Sequence, residues 1–119
     1  MIIRRDSVSA FDFGGVGIQD YTAGLDADSS FAVIAVPPGA THAEAWSRRS
    51  DNYYYVVSGT IEFTDSGETY ALGAGDFCLV RHGDRFSYRN TSGDAATVLL
   101  FHTPSFDPDS EVFVDSPES

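Results

Sequence analysis

The chain has 119 residues, enough for one domain with a single modest core, and its 42% hydrophobic content is ordinary for a soluble globular protein. Acidic residues outnumber basic ones 18 to 7, giving a net charge of -11 and an isoelectric point near 4.3, a balance that disfavours nucleic acid and anionic membrane as partners. All seven basic residues are arginine and the one cysteine is Cys78, which excludes a Schiff-base lysine, an internal disulfide and a cysteine-built zinc site.

From the N-terminus, Met1-Ile2-Ile3-Arg4-Arg5 lacks the apolar stretch of a secretion signal, and no apolar run reaches the roughly 18 residues of a membrane span, so a cytoplasmic protein is expected. Phe11, Phe13, Val16 and Ile18 follow as a short apolar segment. Strands are then predicted at Phe31–Val36, Ala43–Arg48, Asn52–Ser58, Thr60–Thr64, Glu68–Leu72, Asp76–Val80, Phe86–Asn90 and Ala96–Thr103. Each is bounded by Gly, Pro, Asn, Asp or Ser clusters, and no long helical period interrupts them. Such spacing predicts an all-β sandwich or barrel.

Two of these strands are apolar or aromatic on both faces. Tyr53, Tyr55 and Val57 alternate with Asn52, Tyr54 and Val56, and Thr97, Leu99 and Phe101 alternate with Val98, Leu100 and His102. A strand half in water alternates apolar with polar, so these require cover on both sides. A homodimer is the first expectation for the second cover; a layer built by the segment around Phe11–Ile18 is the alternative. The tail from Phe106 is rich in Pro, Asp and Ser and reads as solvated, with Glu111-Val112-Phe113-Val114 as an apolar knot suited to an edge strand.

Punctuation between the strands is specific. Val36-Pro37-Pro38-Gly39-Ala40 opens one block, and Tyr54 to Phe63 carries Gly59 at a strand end. Leu72-Gly73-Ala74-Gly75-Asp76-Phe77, Arg81-His82-Gly83 and Phe86-Ser87-Tyr88-Arg89-Asn90 complete it. Gly59, Gly75 and Gly83 stand where positive φ or close backbone approach is wanted, and Asn90 where an amide closes a turn. From Val36 to Asn90 the sequence resembles the cupin family, whose motifs place glycines, Gly-Asp and a strand-ending Asn in this order. The resemblance implies a cupin-type double-stranded β-helix, a small jelly-roll barrel, over residues 1–106, with 107–119 as an acidic tail.

It also implies where metal ligands would stand. Counting back from Gly59, the family's Glu position is Asn52; its HxH pair falls on Ala45 and Ser47, or on Trp46 and Arg48 with a loop one residue shorter; its second-motif His falls on Phe86. None of these offers an imidazole or carboxylate, so no metal or other cofactor is expected. His42 and His82 are expected in solvated loops and His102 on a strand.

The barrel interior is instead expected to present Asn52, Tyr54, Phe86, Tyr88 and either Ser47 or Trp46, with Arg48 turned inward in the second alignment. These residues either line a small-molecule pocket or simply fill the core. Two functions compete. One is a metal-independent isomerase, epimerase or cyclase in which His102 and Tyr54 move protons while Trp46, Ser47, Arg48, Asn52, Phe86 and Tyr88 hold the substrate. The other is a non-catalytic small-molecule binding or sensing module. Cys78, with no cationic neighbour on its strand, reads as an inert thiol.

Overall fold

A computed structural model describes residues 1–114; the last five positions of the tail lie outside the described residues. Eleven strands follow in chain order: β1 (Phe11–Phe13), β2 (Val16–Asp20), β3 (Ser30–Val36), β4 (Thr41–Ser47), β5 (Asp51–Ser58), β6 (Thr60–Asp65), β7 (Glu68–Gly73), β8 (Phe77–Val80), β9 (Phe86–Arg89), β10 (Ala96–Thr103) and β11 (Glu111–Phe113). They form a six-stranded sheet ordered β1-β2-β3-β10-β5-β8 and a five-stranded sheet ordered β11-β4-β9-β6-β7. From β3 to β10 the chain passes repeatedly between the sheets, which is the double-stranded β-helix expected from the sequence. Every predicted strand is present, with ends moved by at most two residues. Among the described residues, no helix is long and apolar enough to cross a membrane.

Face alternation follows the residue pattern closely. On β5, Asn52, Tyr54 and Val56 are buried between the sheets while Tyr53, Tyr55 and Val57 face outward. On β10, Ala96, Val98, Leu100 and His102 are buried and Phe101 is exposed. Tyr54, Phe63, Phe86 and Tyr88 pack as an aromatic cluster with centroid separations of 5.0 to 6.1 Å, each ring contributing about 1.5–3 kcal/mol through burial.

The N-terminal segment does not cover the outer face. Gly14 and Gly15, both at positive φ, close a two-residue hairpin between β1 and β2, and β2 pairs with β3 to extend the first sheet sideways. Tyr55, Val57, Phe77 and Phe101 therefore remain exposed. The tail also departs from a wholly solvated reading: Asp107 caps a 3-10 turn at Pro108–Ser110, and β11 pairs with β4 as an edge strand.

Two residues close the barrel's turns. Asn90, 1% exposed, donates to the carbonyls of Val36 and Asp94 and accepts from the amide and hydroxyl of Ser92. Gly59, at φ +79°, leaves no room for a side chain, since a Cβ there would lie 2.7 Å from the Ala95 carbonyl oxygen and from Ala96 Cα. Gly83, at φ +88°, has open space around it. Gly59→Ala is expected to cost about 3 kcal/mol or more, because steric conflict with backbone adds to left-handed strain, whereas Gly83→Ala costs about 1 kcal/mol from strain alone. Denaturant melts of the two variants give the comparison directly.

Candidate functional site

Between the sheets lies a cavity of about 310 Å3, within the size range of small-molecule sites. Its lining is mostly apolar, with Phe86, Phe11, Phe13 and Phe113 among the walls. A polar minority (Asp20, Ser30, His42, Asn52, Tyr54, His102 and Glu111) also lines it. Tyr54 and Phe86 thus belong to a cavity wall as well as to the core. Tyr88 lies behind the wall, its hydroxyl buried without a hydrogen-bond partner among the described residues.

His42 reaches the cavity through an irregularity in β4. Its Cα pairs with Tyr88, while Ala45 pairs with Phe86, so β4 advances three residues where β9 advances two. This bulge turns His42 to the same side as Ala45 and Ser47. Strict alternation would have pointed it outward, and the expectation of a solvated loop histidine is corrected accordingly. The imidazole stacks on Tyr88 at 5.0 Å and 30° and lies 5.2 Å from the Phe86 ring. Its Nδ1 sits 2.7 Å from the Ala43 carbonyl oxygen. A carbonyl only accepts, so Nδ1 carries the proton and Nε2 holds the lone pair. Burial lowers the His42 pKa, partly opposed by the bond to Ala43, which leaves a neutral imidazole able to take a proton.

Asn52 and Tyr54 form a pair on the opposite sheet. The Asn52 amide donates to Tyr54 Oη at 3.3 Å, and its own oxygen is buried with no partner among the described residues. Burial raises the Tyr54 hydroxyl well above its ordinary value, with the neighbouring Tyr88 adding to the effect, so Tyr54 remains a proton donor at neutral pH. His102, 7% exposed, packs 5.0 Å from Phe106. Its burial outweighs the influence of Asp20 and pulls its pKa down to about 4.

The other residues singled out from the sequence lie elsewhere. Ala45 and Ser47 are the inward pair on β4, so Trp46 and Arg48 are not brought to the cavity. The Arg48 guanidinium instead covers the Trp46 ring at 5.3 Å. Ser47 is buried, but its hydroxyl accepts from the amides of Arg49 and Ser50 and so closes a turn. Arg89 pairs with Glu62 at 2.9 Å and Arg81 with Asp51 at 3.6 Å on the surface. Cys78 is half-buried, and desolvation pushes its thiol up to about 11.

Glu111 was not singled out from the sequence. Its backbone lies opposite Ser47, and Phe113 lies opposite Ala45, so both face inward while Val112 pairs with Trp46. Glu111 Oε2 is buried with no hydrogen-bond partner among the described residues. Desolvation raises its carboxyl pKa, opposed by the Ser47 hydroxyl. Only the short apolar knot in the tail hinted at such docking.

Divalent metals need three or more convergent nitrogen, thiolate or carboxylate donors. The inward positions Ala45, Ser47, Asn52 and Phe86 supply none, and among the described residues no group of three His, Cys, Asp or Glu is arranged to hold an ion. The donor set does not fit a metal.

Comparison with known proteins gives the family. The cupin domain model matches residues 32–102, more than half of the chain, and the chain belongs to the cupin family. Among solved structures, it is similar to Pac13, described as a unique nucleoside dehydratase, at 24% identity and a TM-score of 0.84, covering 96% of this chain and 90% of that one. A Streptomyces PAC13 variant with uridine is 25% identical with a TM-score of 0.81, covering 92% and 87%. KdgF from Halomonas sp. is 21% identical with a TM-score of 0.78, covering 92% and 98%. No curated protein matches.

The depressed His102 pKa sets a pH dependence. Above about pH 6.5 both folded and unfolded histidine are neutral. As pH falls towards about 4, the unfolded chain takes up a proton that folded His102 refuses, so stability is lost across that window, on the order of 3 kcal/mol at most. His42 acts in the same direction; Glu111, with its raised carboxyl, acts in the opposite one. Thermal melts of wild type and His102→Gln from neutral pH to about 4 are expected to converge on acidification, because the variant lacks this one loss.

Proposed function

We propose that this cupin binds a small organic molecule with a planar ring, of nucleoside size, and removes water from it by metal-independent acid–base chemistry. The observation that carries the reading is a neutral His42 fixed by Ala43, with its lone pair on Nε2, beside an aromatic wall and facing a cavity that also holds a protonated Tyr54. Likeness to a structure that contains uridine supports the ligand class.

In the proposed step, His42 Nε2 takes a proton from carbon next to a carbonyl. The electron pair forms a carbon–carbon double bond, and the hydroxyl on the neighbouring carbon departs with a proton from an acid, leaving as water. Tyr54 is the proposed acid, with Asn52 holding its hydroxyl in place. His102, assigned a proton-transfer role from sequence, is a weak base at about 4 and is proposed instead as a neutral polar contact for ligand, as are Asn52 and the Phe86 face. The same proton abstraction without loss of hydroxyl gives an isomerase or epimerase, which product analysis separates.

A second copy of the chain is proposed to cover the outer face of the six-stranded sheet. Tyr55, Val57, Phe77 and Phe101 are exposed on it, and Asp51 on the same strand is paired with Arg81 and His82. Self-complementary apolar association suits this face on a chain of net charge -11.

The test of function incubates the purified protein with uridine and with pyrimidine nucleosides oxidised to an aldehyde or ketone on the sugar, following products by mass. Loss of one water from an oxidised nucleoside is expected. His42→Gln is expected to lower turnover on the order of 100-fold or more while ligand binding stays within about threefold. Binding without any product identifies a binding module instead. For the second copy, light scattering is expected to report a dimer that Phe101→Asp converts to monomer without loss of fold; a monomeric wild type overturns that assignment.

A further inference from the structure

The C-terminal strap, residues 104–114, is built into the wall of the site. Arg49 donates to the Ser105 carbonyl and hydroxyl, and the Ser50 hydroxyl donates to the Pro104 carbonyl at 2.8 Å. Asp107 closes the 3-10 turn by accepting from Asp109 and Ser110. The Arg48 amide then donates to the Ser110 carbonyl at 2.8 Å, and the Val114 amide to the Glu44 carbonyl at 2.9 Å. These bonds fix the register in which Glu111 and Phe113 face inward. The strap brings a carboxylate to a cavity whose walls are largely aromatic and aliphatic; Asp20, which also lines it, already accepts from the amide and hydroxyl of Thr22.

One oxygen of the Glu111 carboxylate has an unmet requirement. The Ser47 hydroxyl stands beside the carboxyl group as a donor, but Glu111 Oε2 is buried with no hydrogen bond among the described residues, and the carbonyl oxygen of Asn52, another residue of the cavity wall, is in the same condition. Buried acceptors without donors are costly, on the order of the hydrogen bonds they forgo. Neither atom can satisfy the other, since both only accept. A ligand that completes this site must therefore bring hydrogen-bond donors, and a ligand with acceptors alone, such as a carboxylate or phosphate, is repelled there.

We infer that Glu111 is the residue that recognises the sugar of the ligand, accepting hydrogen bonds from its neighbouring ring hydroxyls while the planar ring lies against Phe86. This assignment rests on the proposed nucleoside-size ligand and deepens it: the strap supplies sugar recognition, and the barrel supplies the ring site and the proton chemistry. A carboxylate suits the task because each of its oxygens has two lone pairs with which to accept from hydroxyls, and a charge-assisted bond of this kind is stronger than a neutral one.

Two sources of donors are separable, the sugar hydroxyls and the ring N–H of a pyrimidine. Calorimetric titration uses three probes: uridine, its analogue lacking both sugar-ring hydroxyls, and uridine methylated on the ring nitrogen. Wild type is expected to bind the hydroxyl-free analogue at least tenfold more weakly than uridine. Glu111→Gln is expected to shrink that ratio and Glu111→Leu to bring it close to one, with methylation affecting all three proteins alike. Melting curves establish that both variants fold; each keeps the strand pairing of β11, because that pairing is made by backbone.

A wild type that binds uridine and the hydroxyl-free analogue equally overturns the role of Glu111 while leaving the ligand class intact. So does a Glu111→Leu variant that keeps the full ratio. A methylation penalty that disappears only in the Glu111 variants overturns it in favour of ring N–H recognition. A wild type that binds none of the probes instead overturns the nucleoside reading itself, and the sugar assignment with it.

Discussion

One extra residue in β4 organises the site. Between His42 and Ala45 the strand advances three positions against two on β9, and this exchanges the faces of every side chain before the bulge relative to those after it. Without it, His42 would point to solvent and the exposed Ala43 would stand inside. With it, an imidazole enters an aromatic wall, stacked on Tyr88 and next to Phe86. The bond from Nδ1 to the Ala43 carbonyl fixes the tautomer. A local defect in pairing thus supplies both the position of this imidazole and its tautomer.

The rest of the interior gives that imidazole its setting. Phe63 stacks against both Phe86 and Tyr88 with interplanar angles of 11° and 15°, and Tyr54 packs tilted against the same group. These rings form a stiff apolar floor and withhold water from the few polar groups above it. The same desolvation drives His42 and His102 towards neutrality and holds Tyr54 protonated. In water each of these groups would titrate near its ordinary value. Buried together they are neutral imidazoles beside a protonated phenol at one pH, and the proposed proton transfer rests on that combination.

Sequence legibility differed sharply between core and rim. The inward order of β5, with Asn52, Tyr54 and Val56 buried, was readable because strict alternation holds along that strand and both faces are apolar. Phe86 and Tyr88 on β9 were readable for the same reason. On β4 the parity could not be settled from composition: Ala45 with Ser47 and Trp46 with Arg48 were both plausible inward pairs until the tertiary pairing chose the first. The N-terminal segment showed its apolar character but not its destination, since an apolar hairpin extends a sheet or covers one according to which edge is free. It extends β3 and contributes Phe11 and Phe13 to the cavity.

By itself, the sequence determined an all-β sandwich or barrel and its strand positions, which follow from local terms: turn residues and alternation. Its resemblance to cupins added the double-stranded β-helix and the positions at which that family's metal ligands are replaced. Tertiary structure decided that His42 belongs in the site, that Arg48 and Trp46 do not, and that Glu111 is carried into the cavity by a strand from an acidic tail. The physical reason is that these three outcomes depend on register between segments distant in sequence, such as Glu111 opposite Ser47. Register is set by backbone pairing across the sheet, which no single segment's residues encode.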